Sequence, residues 1–383
     1  MLTAVSVNGK AVCLLDYHIS DIKELQKYQW YCTACGSKMI LKIGSIKQPH
    51  FAHLSLKACN VDQESESAAH LAYKERLYQW CQADELPVEM EKYLPNLAQI
   101  PDLLIAGRIA IEIQCSPLSI KRFKERTENY LRHGYQVVWL MGEKLHLKQK
   151  LSALQTEMCC FSLQSGVYFW EIHRFGLKLN ELMIEDLAQH LFMKTRIFKF
   201  EQQPFLSALR APFVQSTHQQ HFIRFDYQKC QQIIQQSLFF AGKKWVGLQA
   251  LCYQNGVVLQ TLSEDFLFPG KFPLFYQPIQ FRIRLRHFLE QLRTFAEVFE
   301  LMAEQLRLPV QINAEKYLKA LLAFELNRLA AQRQLLVTAS GFQLKPSKHG
   351  LTMDSIKSPK AELKQLADLF KEEGLSGKRE GNN

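Results

Sequence analysis

Residues 100–116 of the chain read I-P-D-L-L-I-A-G-R-I-A-I-E-I-Q-C-S. Residues 103–105 form a short apolar run, and residues 109–114 alternate isoleucine with smaller or polar side chains. Alternation with a period of two is typical of a β-strand, and the intervening 106–108, Ala-Gly-Arg, favours a turn. The sequence therefore predicts a β-hairpin at this point.

Two acidic residues mark this hairpin. Asp102 stands where the first strand begins, and Glu112 lies on the second strand near the level that pairs back toward it. Adjacent strands are about 4.8 Å apart, so both carboxylates can reach one cation. Hard ions such as Mg²⁺ or Mn²⁺ take one or two carboxylates together with water and phosphate oxygens. We therefore expect Asp102 and Glu112 to bind magnesium, with Gln114 on the same face as Glu112.

Composition points to an anionic partner. The 383 residues carry a formal net charge of +10, which favours nucleic acid, although a basic protein without such a partner is the simpler alternative. The N-terminus has no secretory signal pattern and no apolar run approaches a membrane span, so we expect no membrane association. Ten cysteines scattered through the chain indicate a reducing, cytoplasmic compartment.

Residues 1–60 contain a pattern typical of a zinc knuckle. Cys32 and Cys35 form C-x₂-C, and after fourteen intervening residues His50 and His53 form H-x₂-H. Two thiolates and two imidazoles can close a tetrahedral Zn²⁺ site. The histidine spacing is shorter than usual, so Cys59 is an alternative fourth ligand. The sequence predicts an N-terminal zinc-knuckle-like module.

A helix is predicted from residue 63 onward, with Ser65 as its cap. Glu66, His70 and Lys74 recur every four residues and form one polar stripe. The stripe either faces solvent or faces the acidic hairpin. Residues 87–91 then read as a strand, from which Glu89 is a further candidate for the same cation.

A basic helix and a buried strand follow the hairpin. The helix spans residues 118–133 and contains Lys121, Arg122 and Arg126, which we expect to contact DNA. Residues 136–140 are apolar and predict the strand. The fold class is therefore α/β, with a central αβββαβ restriction-endonuclease-like core over residues 61–148.

The proline-aspartate pair and the later glutamate resemble the catalytic pattern of PD-(D/E)xK nucleases, with Gln114 where the lysine would stand. More widely, the chain resembles the competence protein CoiA family over roughly residues 1–150. The motifs that carry this resemblance are the C-x-x-C knuckle, H-F-A-H, E-x-x-x-H-x-x-x-K, P-D, E-I-Q-x-S, R-x-x-x-Y and V-V-W-L.

The resemblance implies a bacterial cytoplasmic protein that acts on incoming DNA during natural transformation and recombination. By position, Asp102, Glu112 and Gln114 match the catalytic motif and Glu66 matches the acid of the helix. His70, Lys74, Arg126 and Tyr130 match further family positions.

A mechanism follows as a hypothesis. Asp102 and Glu112, with Glu66, would hold Mg²⁺, and the ion would polarise the scissile phosphate and activate a water molecule. Gln114 carries no charge, so Lys74 is the candidate for the missing ammonium group.

The remaining sequence predicts a mainly helical, basic region over residues 149–372. It contains a strand at 166–172, a helix at 179–195, amphipathic helices at 285–307 and 314–333 and a short helix at 360–372. Arginines such as Arg282 are candidates to track a phosphate backbone, and residues 373–383 are expected to be a disordered tail.

Three functions fit these features: a metal-dependent nuclease acting on single-stranded DNA or recombination intermediates, a DNA-binding recombination accessory protein with a weak or inactive nuclease fold, and an interaction protein that docks other recombination proteins. The Asp102–Glu112 pair favours the first, and Gln114 favours the second.

Overall fold

The structure is a computed structural model of the chain. It describes residues 1–44, 47–54, 66–185, 191–214, 226–239, 243–268, 275–338 and 340–345. The predicted helix at 360–372, the predicted tail at 373–383 and the alternative zinc ligand Cys59 all lie outside these residues.

The N-terminal module is a five-stranded antiparallel sheet with strand order β2-β1-β3-β4-β5. A tilted aromatic pair, Trp30 and Phe51, with ring centroids 5.3 Å apart, packs in its small core. The elements are β1 (Thr3–Ser6), β2 (Ala11–Cys13), α1 (Ile19–Leu25), β3 (Trp30–Tyr31), β4 (Lys38–Lys42) and β5 (His50–His53).

The central part has the predicted element order αβββαβ. Its elements are α2 (Ala68–Ala83), β6 (Val88–Met90), β7 (Leu103–Ile105), β8 (Ile109–Gln114), α3 (Ile120–Arg132) and β9 (Gln136–Met141). The predicted hairpin is β7–β8, in which Leu103 pairs with Ile111. Ala106 and Gly107 both have positive φ, and the N–H of Arg108 donates to the carbonyl of Ile105 (3.0 Å), so the turn is tight.

The central sheet continues beyond residue 148. It has eight strands, with β13-β12-β11-β9-β8-β7-β6 in order and β10 paired to β11. The added elements are α4 (Ala153–Glu157), β10 (Cys160–Ser162), β11 (Gly166–His173), β12 (Gly176–Glu185) and β13 (Leu191–Lys199). Because β11 pairs in parallel with β9, the predicted boundary at 148 falls inside this sheet.

The predicted helix at 179–195 is wrong, because residues 179–185 and 191–195 lie in the antiparallel strands β12 and β13. Leu177 and Leu179, two residues apart, are both buried in the sheet core. That period of two is a strand signal.

The C-terminal part is helical up to a final hairpin. Its elements are α5 (Phe205–Arg210), α6 (Tyr227–Phe239), α7 (Lys243–Gln254), α8 (Glu264–Leu267), α9 (Pro278–Phe288), α10 (Phe295–Ala303), α11 (Ala314–Ala331), β14 (Leu335–Thr338) and β15 (Gly341–Leu344). The predicted helix at 285–307 is two helices, since Thr294 and Glu297 form a capping box that starts a new one.

One predicted phosphate contact in this region is wrong. Arg282 is buried and pairs with Glu325, with Nη2 2.7 Å from Oε1. In the part of the chain that the structure describes, no helix is both long enough and apolar enough to cross a bilayer.

Candidate active site

Lys74 stands at the centre of the site. Helix α2 begins after Ser67, whose hydroxyl accepts from the N–H of His70 (3.2 Å), so Glu66 precedes the helix rather than lying within it. Lys74 Nζ contacts a carboxylate oxygen of Glu66 and lies 2.8 Å from Glu91 Oε1 and 2.9 Å from Asp102 Oδ1. The polar stripe therefore faces the hairpin and not the solvent.

Asp102 is held by the hairpin itself. It directly precedes β7, and the pairing of β7 with β8 brings it beside Ile113, whose N–H donates to Asp102 Oδ2 (2.7 Å). His70 Nε2 lies 3.0 Å from the same oxygen. Burial alone would raise the pKa of Asp102, but His70 and Lys74 outweigh it and hold that pKa well below its ordinary value. The carboxylate is therefore ionised.

Glu112 has its own set of partners. Helix α3 places Arg126 and Tyr130 against it: the Arg126 guanidinium contacts Oε1, and the Tyr130 hydroxyl donates to the same oxygen (2.7 Å). Burial is the largest influence on Glu112 and raises its pKa, with the charge of Asp102 in the same direction and Arg126 opposed. The same guanidinium stacks over Trp139, 5.3 Å from the ring centroid.

The predicted DNA contacts on α3 differ in where they point. Arg126 is turned inward to Glu112, whereas the side chain of Lys121 is 87% exposed. Arg122 lies half-buried near the start of the helix, where its N–H donates to the Ser119 cap. Arg126 is therefore positioned to hold Glu112, and Lys121 lies on the outer surface.

Gln114 is buried on β8, two residues after Glu112. Its amide donates to the carbonyl of Ser116 (2.9 Å). The Gln114 amide carries no charge. The ammonium near Asp102 belongs instead to Lys74 of helix α2.

Glu91 is a site residue that the sequence analysis missed. It follows β6 with a positive φ of 49°, which turns its side chain inward, and it is nearly fully buried. It accepts from the N–H groups of Leu2 (2.8 Å) and Thr3 (3.0 Å) as well as from Lys74. Glu91 therefore joins the first strand of the N-terminal module to the central site.

Glu89, the predicted candidate, does not approach the site. It is exposed and pairs with Lys92 (2.8 Å). The alternation of side chains along β6 points Glu89 away from Met90, which is buried. The signal that would have found Glu91 is its place immediately after the strand, where the chain turns.

Glu66 bridges two positive groups. One oxygen contacts Lys74 and the other lies 2.5 Å from the α-amino group of Met1. Burial would raise the pKa of Glu66, but Lys74 and the amino group outweigh it and lower the pKa to about 2.

Glu66, His70 and Asp102 have ligand atoms within 4.8 Å of one another. Two carboxylate oxygens and one imidazole nitrogen are a donor set that suits Mn²⁺ and accommodates Mg²⁺, so the residues fit a divalent ion. The predicted pair was Asp102 and Glu112. Glu112 is not in this group, because Arg126 and Tyr130 hold it.

A second donor group lies in the N-terminal module. Cys32, Cys35 and His53 have ligand atoms within 4.8 Å of one another, and Cys35 Sγ lies 3.5 Å from His53 Nε2. His50 is not brought to this group: its Nδ1 lies 3.0 Å from the carbonyl of Gln48. Residues three apart on a strand point to opposite faces, which explains why only one of the two histidines reaches the cysteines.

Two family models match the chain. "Competence protein CoiA, nuclease-like domain" matches residues 66–212, and "Competence protein CoiA, N-terminal domain" matches residues 14–62. The first includes β10 to β13, in agreement with the continuous sheet, and all residues of the candidate site lie within its bounds.

A curated relative matches over a shorter stretch. The chain is similar to "Competence protein CoiA" of Bacillus subtilis (strain 168), with 34% identity over 123 residues, which is 31% of this chain and 33% of the relative. The match therefore spans about a third of the relative's length. No solved structure matches significantly.

The two family models together cover just over half of the 383 residues. The chain belongs to the competence protein CoiA family.

Proposed function

We propose that this protein is a metal-dependent DNA nuclease that processes incoming DNA in natural transformation and recombination. The observation that carries the proposal is the buried group of Glu66, His70, Lys74 and Asp102 at the base of the β7–β8 hairpin. This group combines ligand atoms for a divalent ion with the buried ammonium of Lys74. It lies in the region that matches the nuclease-like family model.

Glu66, His70 and Asp102 would hold the ion, Mg²⁺ or Mn²⁺. When bound, such an ion polarises a phosphate oxygen and lowers the pKa of a bound water. The low pKa values of Glu66 and Asp102 keep both carboxylates ionised without it, so no proton has to leave before binding.

Lys74 has the properties of a charge stabiliser. The three surrounding carboxylates raise its pKa well above the ordinary value against the effect of burial, so it is a permanent cation. Positive charge fixed in advance is worth most in a site that excludes water. The role of Lys74 is to balance the negative charge that develops on the scissile phosphate.

Glu112 and Arg126 form the second wall of the site. Arg126 carries a raised pKa because Glu112 faces it, although burial opposes the rise. This pair fixes α3 against β8, and Tyr130 fixes the same carboxylate oxygen. The pair positions the hairpin that carries Asp102.

The DNA partner is supported by charge. The chain has a net charge of +10, and the exposed Lys121 lies on the same helix as Arg126. We propose single-stranded DNA or recombination intermediates as the substrate, and other recombination proteins as partners of the C-terminal helices. No disulfide joins any of the nine described cysteines, which favours the cytoplasm.

We also propose that Cys32, Cys35 and His53 bind Zn²⁺. Thiolate and imidazole are the ligands of structural zinc sites. The small core of the N-terminal module supports this role, because a metal would supply stability that few apolar side chains can provide.

A second candidate function is DNA binding without cleavage. Gln114 favours it, because the position carries an amide that donates to Ser116 rather than a free cation. In that case Lys74 is a structural counter-ion for Glu66, Glu91 and Asp102.

The experiment uses labelled single-stranded, duplex and branched DNA, incubated with the full chain in Mg²⁺ or Mn²⁺. Cleavage that stops with a chelator supports the nuclease. Tight binding at low salt without cleavage of any of the three supports the accessory function. If the chain does not bind DNA at low salt, the remaining function is that of an interaction protein that docks other recombination proteins.

A further inference from the structure

A third group of metal-ligating side chains lies away from both sites described above. His146, in the loop after β9, and Glu171 and His173, on β11, have ligand atoms within 4.8 Å of one another. Glu171 pairs with Met141 of β9 in the parallel ladder. The group therefore lies where the central αβββαβ core meets the strands added to it.

Two hydrogen bonds orient these side chains. The N–H of Leu147 donates to Glu171 Oε1 (2.7 Å), which leaves Oε2 on the side of His173. His146 Nε2 lies 3.0 Å from the carbonyl of Ile172. A proton on Nε2 makes that hydrogen bond and leaves the lone pair of Nδ1 free. Metal-binding histidines are commonly fixed in this way by a carbonyl on the far nitrogen.

Several buried polar atoms here lack a hydrogen bond. His173 Nε2 and both amide atoms of Asn180 have no hydrogen-bond partner among the described residues, whereas Glu171 Oε2 has the ammonium of Lys178 3.0 Å away. Asn180 is fully buried on β12, two residues from Lys178, which pairs with Glu171. Buried polar atoms are nearly always satisfied, and an ion or ordered water is one way to satisfy them.

The two histidine side chains lie in contact with each other. The imidazole rings have centroids 4.1 Å apart and planes tilted by 40°. The Glu171 side chain is 1% exposed and that of His173 is 36% exposed, so solvent reaches the group from the side of His173.

Lys178 is the present counter-ion. Its Nζ lies 3.0 Å from Glu171 Oε2, and its side chain is 26% exposed. An ammonium on a flexible stem can swing to solvent when a divalent ion takes its place beside the carboxylate.

We propose that His146, Glu171 and His173 form a binding site for a divalent transition metal of the zinc class. Two imidazoles and one carboxylate are a donor set used by Zn²⁺, with water in the remaining position. The ion would tie the loop after β9 to β11 and so lock the added strands onto the central core.

The test must separate this site from the two other donor groups. The background is the full chain with Cys35→Ser and His70→Asn, stripped of metal and titrated with Zn²⁺ by calorimetry. We expect one equivalent to bind, and we expect His173→Asn to abolish it. His287→Asn, at an exposed histidine outside the group, is the matched control and should keep the equivalent.

Two further variants keep the test decisive. Glu171→Gln keeps the size of the side chain and the oxygen that accepts from Leu147, so it removes only the negative charge. We expect this variant to lose zinc binding as well. It provides the test if His173→Asn fails to fold. Lys178→Met should tighten zinc binding, because no ammonium competes for Glu171. A background chain that binds no zinc, or an equivalent that survives both His173→Asn and Glu171→Gln, would overturn the proposal.

Discussion

The ammonium of Lys74 on helix α2 lies 2.9 Å from the carboxylate of Asp102 at the start of β7, and only 3% of the Lys74 side chain is exposed. Each residue compensates the other, since an unpaired buried charge is costly. The contact joins the helix to the hairpin, and it sets the charge of the candidate site.

The first prediction concerns the cost of removing that ammonium. Lys74→Met should lower the free energy of unfolding by about 3–5 kcal/mol, because Glu66, Glu91 and Asp102 would keep their buried charges without a partner. Urea denaturation at neutral pH in the presence of chelator measures this loss.

Arg76→Met on the same helix is the control. Arg76 is exposed and lies 3.8 Å from Glu201, so its removal should change the unfolding free energy by about 0.5 kcal/mol or less. A Lys74→Met loss no larger than that of the control would contradict the central role of Lys74.

The second prediction concerns the Glu112–Arg126 pair. Arg126→Met should destabilise the chain by about 3 kcal/mol, because the Glu112 carboxylate stays buried and, among the described residues, keeps the Tyr130 hydroxyl as its remaining partner. The double variant Glu112→Gln with Arg126→Met should recover part of the loss, since the buried charge is gone. A double-mutant cycle by urea unfolding measures the coupling, and additive losses would argue against it.

The third prediction is a pH dependence. The pKa of Glu66 is about 2 in the folded chain against an ordinary 4.5. Burial opposes this shift, and Lys74 outweighs it. The ionised form of Glu66 therefore stabilises the folded state by about 3 kcal/mol above roughly pH 5. This contribution is lost as the pH falls toward 2.

Glu66→Gln should accordingly destabilise the chain at pH 6 in chelator, and the difference from the native chain should shrink as the pH is lowered. Glu89→Gln, at an exposed glutamate, should show neither effect. A difference that stays constant from pH 6 to pH 3 would mean that Lys74 does not hold Glu66 ionised.

The fourth prediction distinguishes the two histidines of H-x₂-H. Cobalt titration of the metal-stripped chain should give a sulfur-to-cobalt absorption band that reports only on the cysteines. His53→Asn should weaken the binding that produces this band, and Cys35→Ser should do the same. His50→Asn should leave it unchanged, because His50 faces Gln48. Equal weakening by both histidine variants would contradict the assignment.

The hairpin and its acids could be predicted from the sequence because local patterns determine them. Isoleucines at every second position place one face inward, and the same parity puts Glu112 and Gln114 together. The interval of four between His70 and Lys74 likewise places these two side chains on one side of α2. Glu66 reaches the same group from just before the helix, because Ser67 and not Ser65 is the cap.

Long-range pairing accounts for what the sequence analysis missed. The strands β12 and β13 join the central sheet only through β11, so residues 179–195 gave a mistaken helical pattern. Glu91 was missed because its importance depends on Leu2 and Thr3, some ninety residues earlier in the chain. The inward turn of Arg126 depends on Glu112, which lies on another element.

The role of Asp102 is tested by comparing DNA cleavage by the native chain and by Asp102→Asn in Mn²⁺, with Glu89→Gln as the matched control. The substitution keeps the size of Asp102 and an acceptor for Ile113 while it removes the charge. We predict that Asp102→Asn binds DNA as the native chain does but no longer cleaves it, and that Glu89→Gln cleaves normally. Cleavage that survives Asp102→Asn would contradict the assignment of the site.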